Sequence, residues 1–214
     1  MSASSKVTLY VDRFWISPYA FSAFVALEEK GVRFETVEVS LGDAEHKTER
    51  FAERFVTGRI PGLVHDGFGL GESSAIVEYV DETFDGPRLL PADPHERARA
   101  RQIMSWIRSD LMALREERPT STMFYERAKK SLSKKGEAAA DKLVEVAGRL
   151  VEFGALSMFK SWSIADADLG FMLHRLILNG DTVPDHLRDY ARAQWERPSV
   201  IAFTQRERPP FEAY

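Results

Sequence analysis

The first candidate for chemistry in this sequence is a serine that precedes a proline. Ser17 and Pro18 stand at the start of a run of apolar residues with helical spacing. This pair is typical of a helix N-cap followed by proline at the first helical position. A hydroxyl there also lies at the positive end of the helix dipole, where an enzyme can hold an anion. Ser17 therefore has two interpretations, a cap alone or a cap that also contacts an anionic group.

Two further segments suit a zwitterionic, peptide-like ligand. Glu72 offers a carboxylate for an ammonium group, while Ser73 and its amide, at the start of a helix, offer donors for a carboxylate. Pro61 at the start of a strand indicates a sheet edge, or a place where another backbone approaches. If the Ile60-Pro61 bond is cis, the N–H and C=O of Ile60 can pair with an extended ligand as an added strand would. An ordinary edge proline is the alternative.

Composition excludes several classes of function. The 214 residues include no cysteine, which removes disulfides, thiolate metal sites and a thiol nucleophile carried by the protein. The five histidines are widely separated, so we expect no metal site. The net charge of -4 argues against nucleic acid or an anionic membrane as partner. With neither a signal peptide pattern nor a membrane-spanning apolar run, we expect a cytoplasmic protein.

The pattern of apolar residues predicts two domains. Strands near 6–12 and 33–39, a hairpin with its turn at Asp66-Gly67, and helices from Ser17 and Ser73 predict an α/β domain over residues 1–85. A segment rich in proline follows and is assigned as a linker, residues 86–94. The remainder, 95–214, is helical in pattern and is assigned as an all-α domain, with helices predicted at 95–118, 121–155, 163–179 and 184–195.

Two motifs have structural explanations. GFGLG, from Gly67 to Gly71, lacks the third glycine and the preceding strand that a dinucleotide-binding loop needs. Ser163 and Asp166 have the spacing of a capping box, so we assign them to folding.

The order of these motifs resembles the glutathione S-transferase family over nearly the whole chain. The resemblance is closest to bacterial, serine-type members that also carry SDLMxxREERPT, here Ser109 to Thr120. It implies a thioredoxin-like N-terminal domain that binds glutathione and an all-helical C-terminal domain that supplies a pocket for an electrophile. The implied activity is binding of reduced glutathione and presentation of its thiolate to an electrophile or a peroxide.

The resemblance also implies roles for individual residues. Ser17 falls at the place of the catalytic hydroxyl. The backbone of Ile60, beside a cis-Pro61, would pair with the cysteinyl part of glutathione, and Glu72 with Ser73 would hold the γ-glutamyl end.

One departure from the family concerns the glycine carboxylate of glutathione. Some serine-type members place a histidine shortly before the cis-proline, whereas Gly58 and Arg59 stand there in this chain. Arg59 and Lys47 are the candidate partners that remain for this carboxylate.

The electrophile pocket is assigned from the resemblance alone, to Arg115, Phe124 and Tyr125. Arg115 stands among acidic residues, so a surface ion pair is its alternative role. Tyr10 and Tyr19 are alternatives to Ser17 as the activating hydroxyl.

The partners that we expect are glutathione as co-substrate, a small electrophilic or peroxide substrate, and a second copy of the chain. The resemblance implies a homodimer, and we expect the second copy to cover apolar residues of the helix predicted at 95–118, including Trp106 and Ile107. No permanently bound cofactor is expected. The rival function is a non-catalytic, transferase-like module that binds a protein partner.

Overall fold

The computed structural model describes residues 5–213, which form two compact units. One unit contains the chain up to Leu89 together with the segment that begins at Gln205, and the other is Leu90–Thr204. The sequence analysis assigned everything from residue 95 onward to the helical domain. The structure differs at the C-terminal end, because the segment after Thr204 packs with the α/β unit.

The α/β unit is built on a sheet with strand order β2-β1-β3-β4. Its strands are β1 (Val7–Asp12), β2 (Glu35–Val39), β3 (Gly62–His65) and β4 (Phe68–Gly71). β1 runs parallel to β2 and antiparallel to β3, which is antiparallel to β4. Its helices are α1 (Pro18–Lys30), α2 (Glu49–Arg54) and α3 (Ser73–Thr83), with a 3₁₀ turn at Glu45–Lys47. This is the predicted thioredoxin-like order of elements.

Local sequence accounts for the hairpin between β3 and β4. Asp66 and Gly67 both have positive φ, 48° and 92°, as a two-residue turn matched to strand twist requires. Leu63 and Leu70 are paired across the two strands. GFGLG is therefore the turn glycine and strand β4, which confirms that it is not a nucleotide loop.

The helical unit is organised around one buried helix. It contains α4 (Pro94–Ser109), α5 (Met112–Glu117), α6 (Ser121–Phe124), α7 (Lys134–Leu150), α8 (Ile164–Ile177), α9 (Asp185–Trp195) and α10 (Pro198–Thr204). Every residue of α8 from Ile164 to Leu176 is buried, and α4, α7 and α9 pack against it. Within residues 5–213, no helix has the length and apolar character needed to cross a bilayer.

Two of the predicted helices are interrupted. The helix predicted over 95–118 breaks at Leu111, whose φ is 63°, and the one predicted over 121–155 is replaced by α6, an irregular segment and α7. Glu117 explains the second break, because its carboxylate accepts from the backbone N–H and the hydroxyl of Ser133 at 2.7 and 2.6 Å. Ser133 in turn caps α7. Apolar periodicity does not reveal such side-chain bonds to the backbone.

The capping box of α8 is confirmed. The Asp166 carboxylate accepts from the N–H of Ser163 at 2.8 Å and also from the Tyr190 hydroxyl at 2.9 Å. Burial raises the pKa of Asp166, and these hydrogen bonds oppose the rise. The motif thus ties the start of α8 to α9, which is a structural role.

His174 is a buried titratable group in α8. Its side chain lies 4.0 Å from the Trp195 ring in a stacked arrangement, and its Nδ1–H donates to the carbonyl of Gly170 at 2.8 Å. Burial lowers the pKa of His174 to about 4, with the hydrogen bond to Gly170 opposing this. The ring is therefore neutral near pH 7.

We predict that His174 makes the fold sensitive to mild acid. An unfolded histidine takes up its proton near pH 6.5, whereas the folded one does so only near pH 4, so stability present above pH 6.5 is lost as the pH falls between these values. The loss is up to about 3 kcal/mol of unfolding free energy. Urea unfolding at several pH values should show a smaller loss for His174→Phe than for the unchanged chain. Parallel curves for the two proteins would contradict the assignment.

Candidate glutathione site

The site begins at Asp12, where β1 ends and the chain turns toward α1. Asp12 is only 1% exposed, and its two carboxylate oxygens accept from the N–H groups of Ile16 at 2.8 Å and Ser17 at 3.0 Å. Its main-chain carbonyl accepts from the N–H of Trp15 at 2.9 Å. Burial raises the pKa of Asp12, and the two N–H donors and Arg208 oppose the rise. One buried side chain thus fixes the loop that leads to the serine.

Ser17 is half-buried and caps α1, with Pro18 at the first helical position. Its hydroxyl oxygen accepts from the N–H of Ala20 at 3.2 Å. A serine hydroxyl has two lone pairs and one proton, so accepting this bond leaves the O–H proton available for donation. The two interpretations of Ser17 are therefore compatible.

The Ile60-Pro61 bond is cis, the conformation that the resemblance implies. Pro61 is buried and leads directly into β3. Ile60 lies outside the sheet ladder, which begins at Gly62.

Glu72 connects β4 to α3 with an unusual backbone. Its φ is 65°, although it has a side chain, and it is exposed to solvent. Such conformations are uncommon outside glycine and are found more often at ligand sites, where surrounding structure holds them. Ser73 follows as the first residue of α3 and is only 4% exposed. The N-terminus of α3 is thus bordered by a carboxylate.

The register of the sheet brings these segments to one end. Gly62 at the start of β3 is paired with Tyr10 near the end of β1 and with Gly71 at the end of β4. The loop to Ser17, the cis-proline segment and Glu72 therefore leave the sheet at the same end. Both α1 and α3 begin there, so their positive dipole ends contribute to a region suited to anionic groups.

Comparison with known proteins identifies the arrangement. Residues 5–82 match the family described as glutathione S-transferase, N-terminal domain, and residues 93–207 match glutathione S-transferase, C-terminal domain. The chain belongs to the glutathione S-transferase family.

Solved structures of the family support this assignment across the chain. A glutathione transferase homologue from Burkholderia strain BGR1, crystallised with bound glutathione, is 40% identical with a TM-score of 0.77, covering 94% of this chain and 97% of that one. A Tau class glutathione S-transferase from mango is 25% identical with a TM-score of 0.71, covering 93% and 92%.

Curated relatives match over a shorter stretch. Glutathione S-transferase U10 of Arabidopsis thaliana is 43% identical over 105 residues, which is 48% of this chain and 43% of the relative. A probable glutathione S-transferase of Nicotiana tabacum is 42% identical over 89 residues, or 41% and 39%. The matched stretch thus spans about two fifths of the length of these relatives.

Tyr10 lies near the end of β1 and contacts α2 and the residue that follows it. Its hydroxyl accepts from Arg54 at 2.6 Å, and its ring packs edge-on against Phe55 with 5.2 Å between centroids. These contacts engage the Tyr10 hydroxyl and ring with Arg54 and Phe55. Tyr19 is the second residue of α1 and is half-buried.

The candidates for the glycine carboxylate both lie on exposed segments. Arg59 immediately precedes Ile60, and Lys47 ends the 3₁₀ turn. Both side chains are exposed, so each is accessible to a solvated carboxylate.

Across residues 5–213, no group of three histidine, aspartate or glutamate side chains is arranged to hold a metal ion.

The candidates for the electrophile pocket have partners within the helical unit. The Arg115 guanidinium donates to the carbonyl of Ile107, which joins α5 to α4. Phe124 lies near Phe171 and Trp195, with ring centroids 6.1 and 6.5 Å away. Tyr125 follows α6 and is half-buried.

Sequence reasoning missed Asp12 and Arg208. The signal for Asp12 is weak but present, since an acidic residue ends a strand five positions before a Ser-Pro pair. Arg208 contacts the carbonyl of Trp15 from 193 positions away, and nothing in its local sequence indicates this.

Proposed function

We propose that this chain is a glutathione transferase that binds reduced glutathione, stabilises its thiolate through Ser17 and transfers the sulfur to an electrophilic small molecule. The observation that carries the proposal is the meeting of Ser17, the cis-Pro61 segment and Glu72-Ser73 at the end of the sheet where two helices begin. Membership of the glutathione S-transferase family supports it. The bound glutathione of the Burkholderia homologue supports the same ligand.

The groups of the site suit the three parts of glutathione. Glu72 would pair with the ammonium of the γ-glutamyl end, while Ser73 at the start of α3 would donate to its carboxylate. The backbone of Ile60 would pair with the cysteinyl part as an added strand does. Arg59 or Lys47 would then neutralise the glycine carboxylate.

The chemical demand on Ser17 is modest. A thiol with a pKa near 8.5 must lose about two units to be mostly ionised at pH 7, which is roughly 2.7 kcal/mol of differential stabilisation. A helix N-terminus and one hydroxyl hydrogen bond supply an amount of this order. Because the Ser17 oxygen accepts from Ala20, its own proton is not used in that bond and is available to donate to the sulfur.

In the proposed reaction the thiolate attacks an electrophilic carbon of the second substrate. A sulfur–carbon bond forms, and the displaced group leaves with its electron pair. Arg115, Phe124 and Tyr125 remain the proposed residues of the electrophile pocket, and peroxides are a second class of acceptor for the same thiolate. A panel of chloronitrobenzenes and organic hydroperoxides, assayed with glutathione, tests both classes.

A non-catalytic protein-binding module is the alternative function. Binding of glutathione separates the two functions, because a ligand that binds only the folded state at 100 times its Kd adds about 2.7 kcal/mol of stability. A transferase should therefore show a higher melting temperature in millimolar glutathione and bind an immobilised glutathione matrix. Failure of both would favour the alternative.

We predict that Ser17→Ala lowers turnover by roughly 10- to 1,000-fold and raises the pH midpoint of kcat/KM, because the donor to the thiolate is lost. Glutathione should still bind. Ser17→Thr keeps a hydroxyl and should retain part of the activity. Thiolate absorbance of bound glutathione, followed against pH, measures the effect.

Ser133→Ala is the matched control, since it removes a serine that caps a helix of the helical unit, together with that serine's hydroxyl bond to Glu117. Loss of a cap alone costs about 0.5–2 kcal/mol of stability and leaves the thiol unchanged. If Ser17→Ala behaves like Ser133→Ala, Ser17 is only a cap.

We predict that Glu72→Gln raises the KM for glutathione roughly 10- to 100-fold and leaves kcat within about twofold. Its proposed partner, the ammonium group, carries the same charge throughout the reaction, so the lost interaction is uniform binding. Steady-state kinetics against glutathione measure this. Glu82→Gln, at an exposed position of α3, is the control, and a large fall in kcat at unchanged KM would show that Glu72 has another role.

We predict a homodimer, on the strength of the family. The structure does not support the expectation that Trp106 and Ile107 of α4 need a partner to cover them. Ile107 is only 5% exposed and Trp106 packs against the same helical core. Sedimentation at micromolar concentration should give a species of twice the chain mass of 24.3 kDa. A single species at 24.3 kDa, the mass of a monomer, would contradict the prediction.

A further inference from the structure

The peptide unit between Trp15 and Ile16 is held by charged groups at both ends. Its N–H, on Ile16, donates to the Asp12 carboxylate at 2.8 Å. Its carbonyl, on Trp15, accepts from Nε and Nη2 of Arg208 at 3.3 and 3.2 Å. An anion thus faces the positive end of the peptide dipole and a cation faces the negative end, which fixes the plane of this peptide.

The backbone here needs such support. Trp15 has a φ of 53°, a conformation that is an outlier for a bulky side chain and persists only when surrounding structure holds it. Trp15 is fully buried, and its indole N–H donates to Glu38 at 2.8 Å. The chain then reaches Ser17 in two residues, so the direction of the serine hydroxyl depends on the plane held by Asp12 and Arg208.

The segment from Arg206 to Phe211 supports the same loop at three points. The Arg206 guanidinium carbon lies 3.9 Å from the centre of the Trp15 ring, in a cation–π arrangement. The Phe211 ring packs edge-on against Phe14, with 5.2 Å between centroids. Arg208 is itself held, because its Nη1 donates to the carbonyl of Arg206 at 2.8 Å. Three side chains of one short segment therefore converge on the two residues before Ile16.

We propose that the segment Arg206–Phe211 is a positioning element for Ser17, and that Arg208 is the positioning residue that sets the orientation of the Trp15–Ile16 peptide. The inference has two steps: Arg208 orients the Trp15–Ile16 peptide, and that peptide orients the Ser17 hydroxyl. Only the second step rests on the proposed function. Arg208 donates to main-chain carbonyls, those of Trp15 and Arg206. Its effect on catalysis passes through the backbone.

The charge of Arg208 has a second effect on the same loop. Asp12 is buried, and burial disfavours its ionised form, while Arg208 favours that form. Removing Arg208 would therefore weaken both restraints on the peptide, the direct one at the carbonyl and the indirect one at Asp12.

The test compares Arg208→Ala and Arg208→Lys with the unchanged chain, using Arg192→Ala as a matched control. Arg192 is an exposed arginine of α9, paired with Asp189. We expect Arg208→Ala to lower kcat about 10- to 100-fold with the KM for glutathione within about twofold, because displacing a reacting group by about an ångström has effects of this size. Lysine should restore part of kcat, since one ammonium can still donate to the Trp15 carbonyl. Guanidinium ion at millimolar concentration should also rescue the alanine variant.

A second measurement does not depend on glutathione. Deuterium exchange of the peptide that contains Ile16 and Ser17 should be faster in Arg208→Ala than in the unchanged chain, because both amides are bonded to Asp12. Unchanged exchange would overturn the inference at its first step. If the alanine variant does not fold, the lysine variant provides both measurements.

Ser17→Ala, measured alongside, separates the possible failures. Loss of activity in Ser17→Ala with full activity in Arg208→Ala overturns the positioning role. Full activity in Ser17→Ala overturns the proposed role of Ser17 and the second step of the inference, while the exchange measurement still decides the first. A fall in melting temperature with unchanged kcat would show that Arg208 serves stability alone.

Discussion

The Asp12 carboxylate is the constraint on which the site depends. Asp12 is the last residue of β1, and its carboxylate oxygens accept hydrogen bonds from the N–H groups of Ile16 and Ser17. A chain leaving a strand has N–H groups that must find partners once they are buried. Asp12 supplies those partners and so determines where α1 begins. Replacing it would leave two donors unsatisfied and the cap serine without a fixed position.

The sheet provides the second constraint, because its register brings separate loops to one end. This arrangement needs a small residue where the start of β3 approaches the Phe55 ring closely. A Cβ on Gly62 would lie 2.5 Å from the Phe55 ring, so only glycine fits between the start of β3 and that ring. With β3 in place, the ends of β1 and β4 fall beside the cis-proline segment. Two helix N-termini and the carboxylate of Glu72 then present both signs of charge, as the proposed zwitterionic ligand requires.

Much of this arrangement was predictable because its causes are local. The alternation of Val7, Leu9 and Val11 predicted β1, and the Asp66-Gly67 pair predicted the hairpin turn. The pairs Ser17-Pro18 and Ser163-Asp166 marked helix starts by their capping chemistry. In each case the physical preference acts within a few residues, so the sequence displays it directly.

The features that escaped prediction depend on contacts between distant residues. Apolar spacing continues across Leu111 and gives no sign that the chain turns there. The break before α7 is set by Glu117, sixteen positions from its partner Ser133. Sequence alone assigned Ile107 to a face covered by a partner subunit, whereas the structure buries it in the core of its own unit. Arg208 is the extreme case, because an arginine in a charged tail has many equally plausible partners.

The folding unit that holds the site is discontinuous in sequence, and this affects its formation during synthesis. The Trp15 carbonyl and Arg208 are 193 positions apart. At roughly 5–20 residues per second, a ribosome needs on the order of 10–40 s to make the chain between them. During that interval the sheet and α1 can form, but the loop before Ser17 lacks its cationic partner. The serine can therefore reach its final orientation only after translation has passed the end of the helical unit, so the nascent α/β unit is incomplete until then.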